Sequence, residues 1–190
     1  AAHDGRELWR MDAMASLRTR FQSAANNASH GYAPYSSPAW QNPAGALTDG
    51  GDPAKVPVFD SEVTTNLLVL TNTVDKVPSG ASVDGYELHF KVQTDPTQGF
   101  LSQGNFSVAQ LFRNGSLAGD NRVPAENYNV IAGPATVFTF GGATEKFGTS
   151  FSAGDVNASD FGIAVSLNGG DASSVGVQVH DAEITIHYTE

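Results

Sequence analysis

Between Val175 and Tyr188 the apolar residues change parity. Val175, Val177 and Val179 alternate with Gly176 and Gln178, whereas Ile184, Ile186 and Tyr188 alternate on the opposite register. Alternation with a period of two marks a half-buried strand. A regular strand cannot change faces, so one residue must be absorbed between His180 and Glu183, which predicts a β-bulge there. The same pattern occurs earlier. Tyr86, Leu88, Phe90 and Val92 share a face and Val83 is off their parity, so a second bulge is expected at Asp84-Gly85. The segments Val83–Phe90 and Val179–Ile186 echo one another, but the likeness does not extend beyond one strand.

These two long strands sit among shorter ones. Thr64–Thr71, Asn105–Phe112, Ala135–Phe140 and Phe161–Leu167 read as strands, and Lys146–Phe151 as a short one. Asn114-Gly115 is a hairpin turn signal. Strands at this spacing without intervening helices indicate an all-β chain, an antiparallel, jelly-roll-like β-sandwich occupying residues 58–190. That sandwich is expected to fold without the residues before it.

Residues 1–57 read differently, as an N-terminal helical and extended arm. Leu8, Met11, Met14, Leu17 and Phe21 are three or four apart, which predicts a helix over 6–25 with one apolar stripe. Asp4 is its candidate N-cap, and Glu7 occupies the capping-box position. The stripe packs either on its own domain or on a neighbouring subunit. A long irregular stretch follows from Asn26 to Pro57, rich in Pro and Gly. Loops of this length are functional or linkers more often than not. It holds Tyr32, Tyr35 and Trp40, so the segment is expected to lie extended against a protein surface, that of its own domain or of another chain.

Charge follows the same division. The chain has 10 basic and 20 acidic residues and a net charge of −10. Residues 1–45 carry Arg6, Arg10, Arg18 and Arg20 against Asp4, Glu7 and Asp12, so the acidic excess belongs to the body. Such a balance disfavours nucleic acid as a partner and suits docking of a slightly basic arm on an acidic surface. With no cysteine, disulfides and thiolate metal sites are excluded. No apolar run approaches the roughly 18 residues needed to cross a bilayer as a helix, so no membrane association is expected. No signal peptide is visible.

Several elements recur in an order that resembles a known group. They are Trp40-x-Asn42-Pro43 followed by Asp49-Gly50, the run Pro78–Ser82, Val83-x-Gly85-Tyr86-x-Leu88-x-Phe90, Phe147-Gly148, the segment Ser152–Gly162, and the terminal Ile184–Thr189. Together they resemble β-sandwich proteins common in tailed-phage genomes and prophages, over roughly Trp40 to the C-terminus. Tyr86 and Leu88 stand where that group has branched aliphatics. The resemblance implies a virion structural protein, most readily a capsid decoration or cement protein on the outer surface of the particle. It would bind the major capsid protein or another virion protein, as a homo-trimer. The alternative it implies is a tail-fibre or surface module that binds host carbohydrate.

No motif carries catalysis or a cofactor. There is no Gly-x-Ser-x-Gly elbow, phosphate loop or dinucleotide fingerprint, and the five histidines lack metal-ligand spacing. His89 and His187 are expected to face solvent. Asp155, Asn157 and Asp160 read as turn residues, with a calcium site as the minority alternative. The expectation is therefore a non-enzymatic protein without cofactor or metal. Its candidate partner-binding residues are those of the arm: Leu8, Trp9, Met11, Met14, Leu17 and Phe21 of the stripe, Arg10 and Arg18 beside it, and Tyr32, Tyr35 and Trp40 beyond it.

Overall fold

A computed structural model describes residues 14–28, 37–59, 63–95, 103–124, 129–131, 133–169 and 175–190. The described chain is built from antiparallel strands in two sheets. In chain order they are β1 (Met14–Thr19), β2 (Phe21–Asn27), β3 (Ala54–Phe59), β4 (Leu67–Thr73), β5 (Ser82–Thr94), β6 (Gln103–Arg113), β7 (Ser116–Ala118), β8 (Asn129–Ile131), β9 (Thr136–Gly142), β10 (Gly162–Asn168) and β11 (Val175–Thr189). One sheet has the order β1-β11-β5-β9, with β3 also on β11; the other is β2-β4-β10-β6-β7, with β8 also on β6.

Both expected bulges are present. Val179 pairs with Val92 and Asp181 with Lys91, so His180 is the extra residue on β11. Tyr188 pairs with Val83 and His187 with Gly85, so Asp84 is the extra residue on β5. The bulges keep Val177, Val179, Ile184 and Ile186 all in the core. The sequence echo has its explanation here. The two segments pair with each other, and Leu88 lies opposite Ile184 midway between the bulges, so each strand carries its bulge at the same distance from the centre of the pair. At Gly85 an added Cβ would lie 2.5 Å from the carbonyl oxygens of Gly142 and Ala143. Gly85→Val is expected to destabilise by about 1–3 kcal/mol, read as a lower urea midpoint.

The facing sheet sides fill the space between them. Leu68 and Leu70 of β4, Leu88 and Phe90 of β5, and Ile163, Val165 and Leu167 of β10 are all at most 1 % exposed. Phe90, Phe106 and Phe140 form one ring cluster, with centroids 4.9–6.3 Å apart. Each such side chain contributes roughly 1.5–3 kcal/mol by leaving water. Asn114 and Gly115, with φ of 53° and 77°, make the tight β6–β7 hairpin that the Asn-Gly pair announces.

Two expectations are corrected. From Met14 onward the residues expected as a helix over 6–25 are β1 and β2; the earlier part of that helix lies outside the described residues. Leu17, Thr19 and Phe21 face inward at spacings of two, while Arg18 and Arg20 point the other way. Leu17 and Phe21 are four apart, which fits both periods. The decision is made by tertiary pairing, since β1 covers one edge of β11 and β2 one edge of β4. Only Arg20 separates the two strands, so the chain changes sheets at that residue. β1 and β3 line the same edge of β11 end to end: Met14–Thr19 lies beside Ile184–Thr189, and Ala54–Phe59 beside Val175–Val179. Residues 14–57 thus supply two strands and most of a third.

The second correction concerns Lys146–Phe151. That segment is a loop, because Phe147 and Gly148 both have positive φ, 54° and 67°. The Phe147 ring is fully buried against Tyr86 and lies 5.6 Å beneath the Arg122 guanidinium. Packing of the ring holds a conformation that a β-strand does not use.

The turn reading of Ser152–Gly162 holds for Asp155, whereas Asn157 and Asp160 bond residues distant in sequence instead of their own turns. Ser152 and Asp155 form a reciprocal capping box on a single helical turn, Ala153–Val156. Asp160 is paired with Arg113. Asn157 accepts from the Val77 amide (2.9 Å) and donates to the Val77 carbonyl (2.7 Å), clamping the β4–β5 loop. Asn157→Ala leaves both backbone groups without these partners and is expected to cost about 1–3 kcal/mol, measurable by chemical denaturation.

Candidate functional site

The outward positions of β1, β11, β5 and β9 carry a concentration of charge. After its bulge β11 points Asp181, Glu183, Thr185 and His187 away from the core, and β5 answers with Lys91, His89 and Glu87. Glu183 stands opposite His89 and Asp181 opposite Lys91. The edge strand β1 brings Arg18 beside Thr185, and the crossing residue Arg20 follows. Val137 and Thr139 of β9 close the other side.

Opposite charges are paired throughout this face. Arg18 Nε and Nη2 donate to Glu183 Oε2 at 2.6 and 2.5 Å. Arg20 grips Asp181 with two bonds, Nε to Oδ1 at 3.2 Å and Nη2 to Oδ2 at 2.8 Å, and its Nε also lies 3.4 Å from Glu183 Oε1. The Lys91 ammonium donates to both oxygens of Asp49, at 2.8 and 2.6 Å. Asp49 comes from the turn after the short 3-10 helix Pro43–Ala46. The hydrogen bonds that Arg20 donates to Asp181 push the guanidinium pKa up, and the bond from Lys91 holds the Asp49 carboxyl below its ordinary value. These groups enclose a groove of about 290 Å³.

His89 lies at the base. Expected to face solvent, it lies on the outer face of its sheet but is buried there, only 7 % exposed. Its Nδ1 is 3.0 Å from the Thr139 hydroxyl and its Nε2 is 2.9 Å from that of Thr185. Hydroxyls can both donate and accept, so the neutral ring is fully satisfied. Burial, and then the nearby Arg18 charge, lower its pKa from 6.5, against the opposing pull of Glu87 and Glu183. His180 is lowered as well, by burial and then by Lys91. His187 is bonded to Glu87 at 3.1 Å.

A pH dependence follows. The unfolded chain binds a proton at His89 more readily than the folded one, so stability rises with pH across this window. The contribution is complete above the ordinary value of 6.5 and is lost as the pH falls below it, toward the depressed folded value. His180 acts in the same direction. Urea midpoints at pH 7.5 and 5.5 are expected to differ, and His89→Gln to shrink the difference.

The candidate residues named from the sequence are distributed as follows. Arg18 belongs to the charged face. Met14 is 54 % exposed at the start of β1, and Leu17 packs half-buried on the core. Phe21 is 3 % exposed and Trp40 is 4 % exposed, both inside the sandwich. The Trp40 indole donates to the Asn66 carbonyl at 2.7 Å, and its amide donates to Asn26 Oδ1 at 2.8 Å. Leu8, Trp9, Arg10, Met11, Tyr32 and Tyr35 lie outside the described residues. The face itself was not anticipated, although Arg18-x-Arg20 and Asp181-x-Glu183 each have the spacing that puts both charges on one side of a strand.

Among the described residues no group of three His, Asp or Glu side chains is placed to hold a metal ion. Each carboxylate of the groove already faces a cation. Comparison of the chain with protein-family models, with curated proteins and with solved structures found no match.

Proposed function

We propose that the chain is a virion structural protein of the jelly-roll type, a capsid decoration or cement protein that binds the shell as a homo-trimer without catalysing a reaction. The observation that carries this reading is the strand order. With the short β8 set aside, β3-β11-β5-β9 facing β4-β10-β6-β7 is the order produced when eight antiparallel strands wind as two Greek keys into two sheets. Double-sheet jelly rolls serve widely in viral capsids, and the sequence resemblance to tailed-phage β-sandwich proteins points the same way.

Leu17, Phe21 and Trp40 are packed within their own sandwich, so the contact with a major capsid protein would use other surface. The test is co-sedimentation of the purified chain with phage particles stripped of it, together with sedimentation velocity on the free chain. Saturable binding at a fixed copy number and a trimer are expected. Absence of particle binding at micromolar concentration would overturn the proposal.

A further inference from the structure

The Arg18 and Arg20 side chains are 55 % and 44 % exposed, whereas the Glu183 and Asp181 carboxylates they hold are only 18 % and 12 % exposed. Three ion pairs are gathered around one concave site of about 290 Å³, near the lower limit of roughly 300 Å³ for small-molecule pockets. The groove lining is balanced, three cations against three carboxylates, in a chain of net charge −10.

That balance selects the ligand. A small anion would meet three carboxylates of like charge, Glu183, Asp181 and Asp49, in the same groove. A metal ion would have to displace the cations. A neutral ligand rich in hydroxyls meets neither obstacle. Arg18 and Arg20 bond their carboxylates through Nε and Nη2, so each keeps a further amino group without a bonded acceptor among the described residues. The carboxylate beside each keeps lone pairs. A donor next to an acceptor is what a vicinal diol requires, because one hydroxyl accepts while its neighbour donates, and such charge-assisted bonds are about twice as strong as neutral ones. Val137, 52 % exposed at the rim, offers an apolar surface to the C–H side of a ring. We infer that this groove is a binding site for a neutral saccharide, an activity that goes beyond the structural role proposed above and does not depend on it.

The test is titration of the intact chain, by isothermal calorimetry and NMR, with a panel of neutral gluco-, galacto- and manno-configured oligosaccharides. Sialyllactose, a sulfated disaccharide and inorganic phosphate serve as charged comparators. At least one neutral sugar is expected to bind and to shift the Thr185, Glu183 and Val137 amides. The paired variant Asp49→Ala with Lys91→Ala removes one donor and one acceptor without leaving a lone charge, and is expected to weaken binding at least tenfold while the thermal transition is retained. Lys76→Ala, away from the groove, is expected to bind as the original chain does. The inference is overturned if no neutral sugar binds, if only the anionic probes bind, or if the folded paired variant binds with unchanged affinity.

Discussion

Leu17→Asp combined with Phe21→Asp is expected to leave no folded protein at 25 °C. On the sequence reading these residues formed a stripe on an arm, and charging them would have removed a partner while sparing the sandwich. In the structure they belong to the sandwich. Phe21 is 3 % exposed and Leu17 packs against the same core cluster. A carboxylate at Phe21 replaces a buried ring with a buried charge, and the cavity and desolvation penalties add. Loss of the ring alone costs about 3–5 kcal/mol. The buried charge adds several more, against a total stability of about 5–15 kcal/mol for a domain. The same argument governs truncation. Deleting residues 1–30 strips β1 from β11 and β2 from β4, baring one edge of each sheet, and an aggregated or molten product is expected. Far-UV and near-UV circular dichroism of the soluble fraction checks both. A double variant with the native near-UV spectrum would show that Leu17 and Phe21 are not part of the core.

Trp40→Ala is expected to destabilise by about 3–5 kcal/mol, the range for removing a large buried aromatic. The ring is 4 % exposed, and its loss also strips the Asn66 carbonyl of the indole donor 2.7 Å away. A buried carbonyl left without its partner adds to the cavity cost. The urea midpoint should fall sharply without change in the slope of the transition. Trp40→Phe keeps most of the apolar volume, loses the donor, and should fall between the two. If Trp40→Ala left stability unchanged and altered only a binding property, the residue would be a surface contact, as the sequence reading had it.

The legible parts of this chain are those in which neighbours in sequence determine the outcome. β5 was readable from end to end because Tyr86, Leu88, Phe90 and Val92 alternate without interruption. The bulges at Asp84 and His180 were readable because each breaks parity inside a long strand, and a strand has no other means of restoring it. The Asn114-Gly115 hairpin was readable because only those residue types adopt positive φ cheaply.

The illegible parts are those in which distant residues decide. Leu17 and Phe21 satisfy a helix period and a strand period alike, and it is the open edges of β11 and β4 that choose. Trp40, in a stretch rich in proline and glycine, carries no local sign that Asn26 and Asn66 will receive its two donors. The short β7 and β8 exist only as additions to β6. The charged groove was hidden for the same reason. Arg18 meets Glu183 across 165 residues and Lys91 meets Asp49 across 42, separations that no motif spans.

The measurement that bears most directly on this account is a nuclear Overhauser survey of residues 14–27 in the uniformly labelled chain. Two edge strands that complete two sheets predict cross-strand contacts between Leu17 and Ile186 and between Ala25 and Val69. They also predict extended-chain carbon shifts throughout 14–19 and 21–27. Sequential amide–amide contacts with i to i+3 connectivities over 14–25, and no cross-strand contacts, would mean a helix. The sandwich edges and the groove built on Arg18 and Arg20 would then both be contradicted.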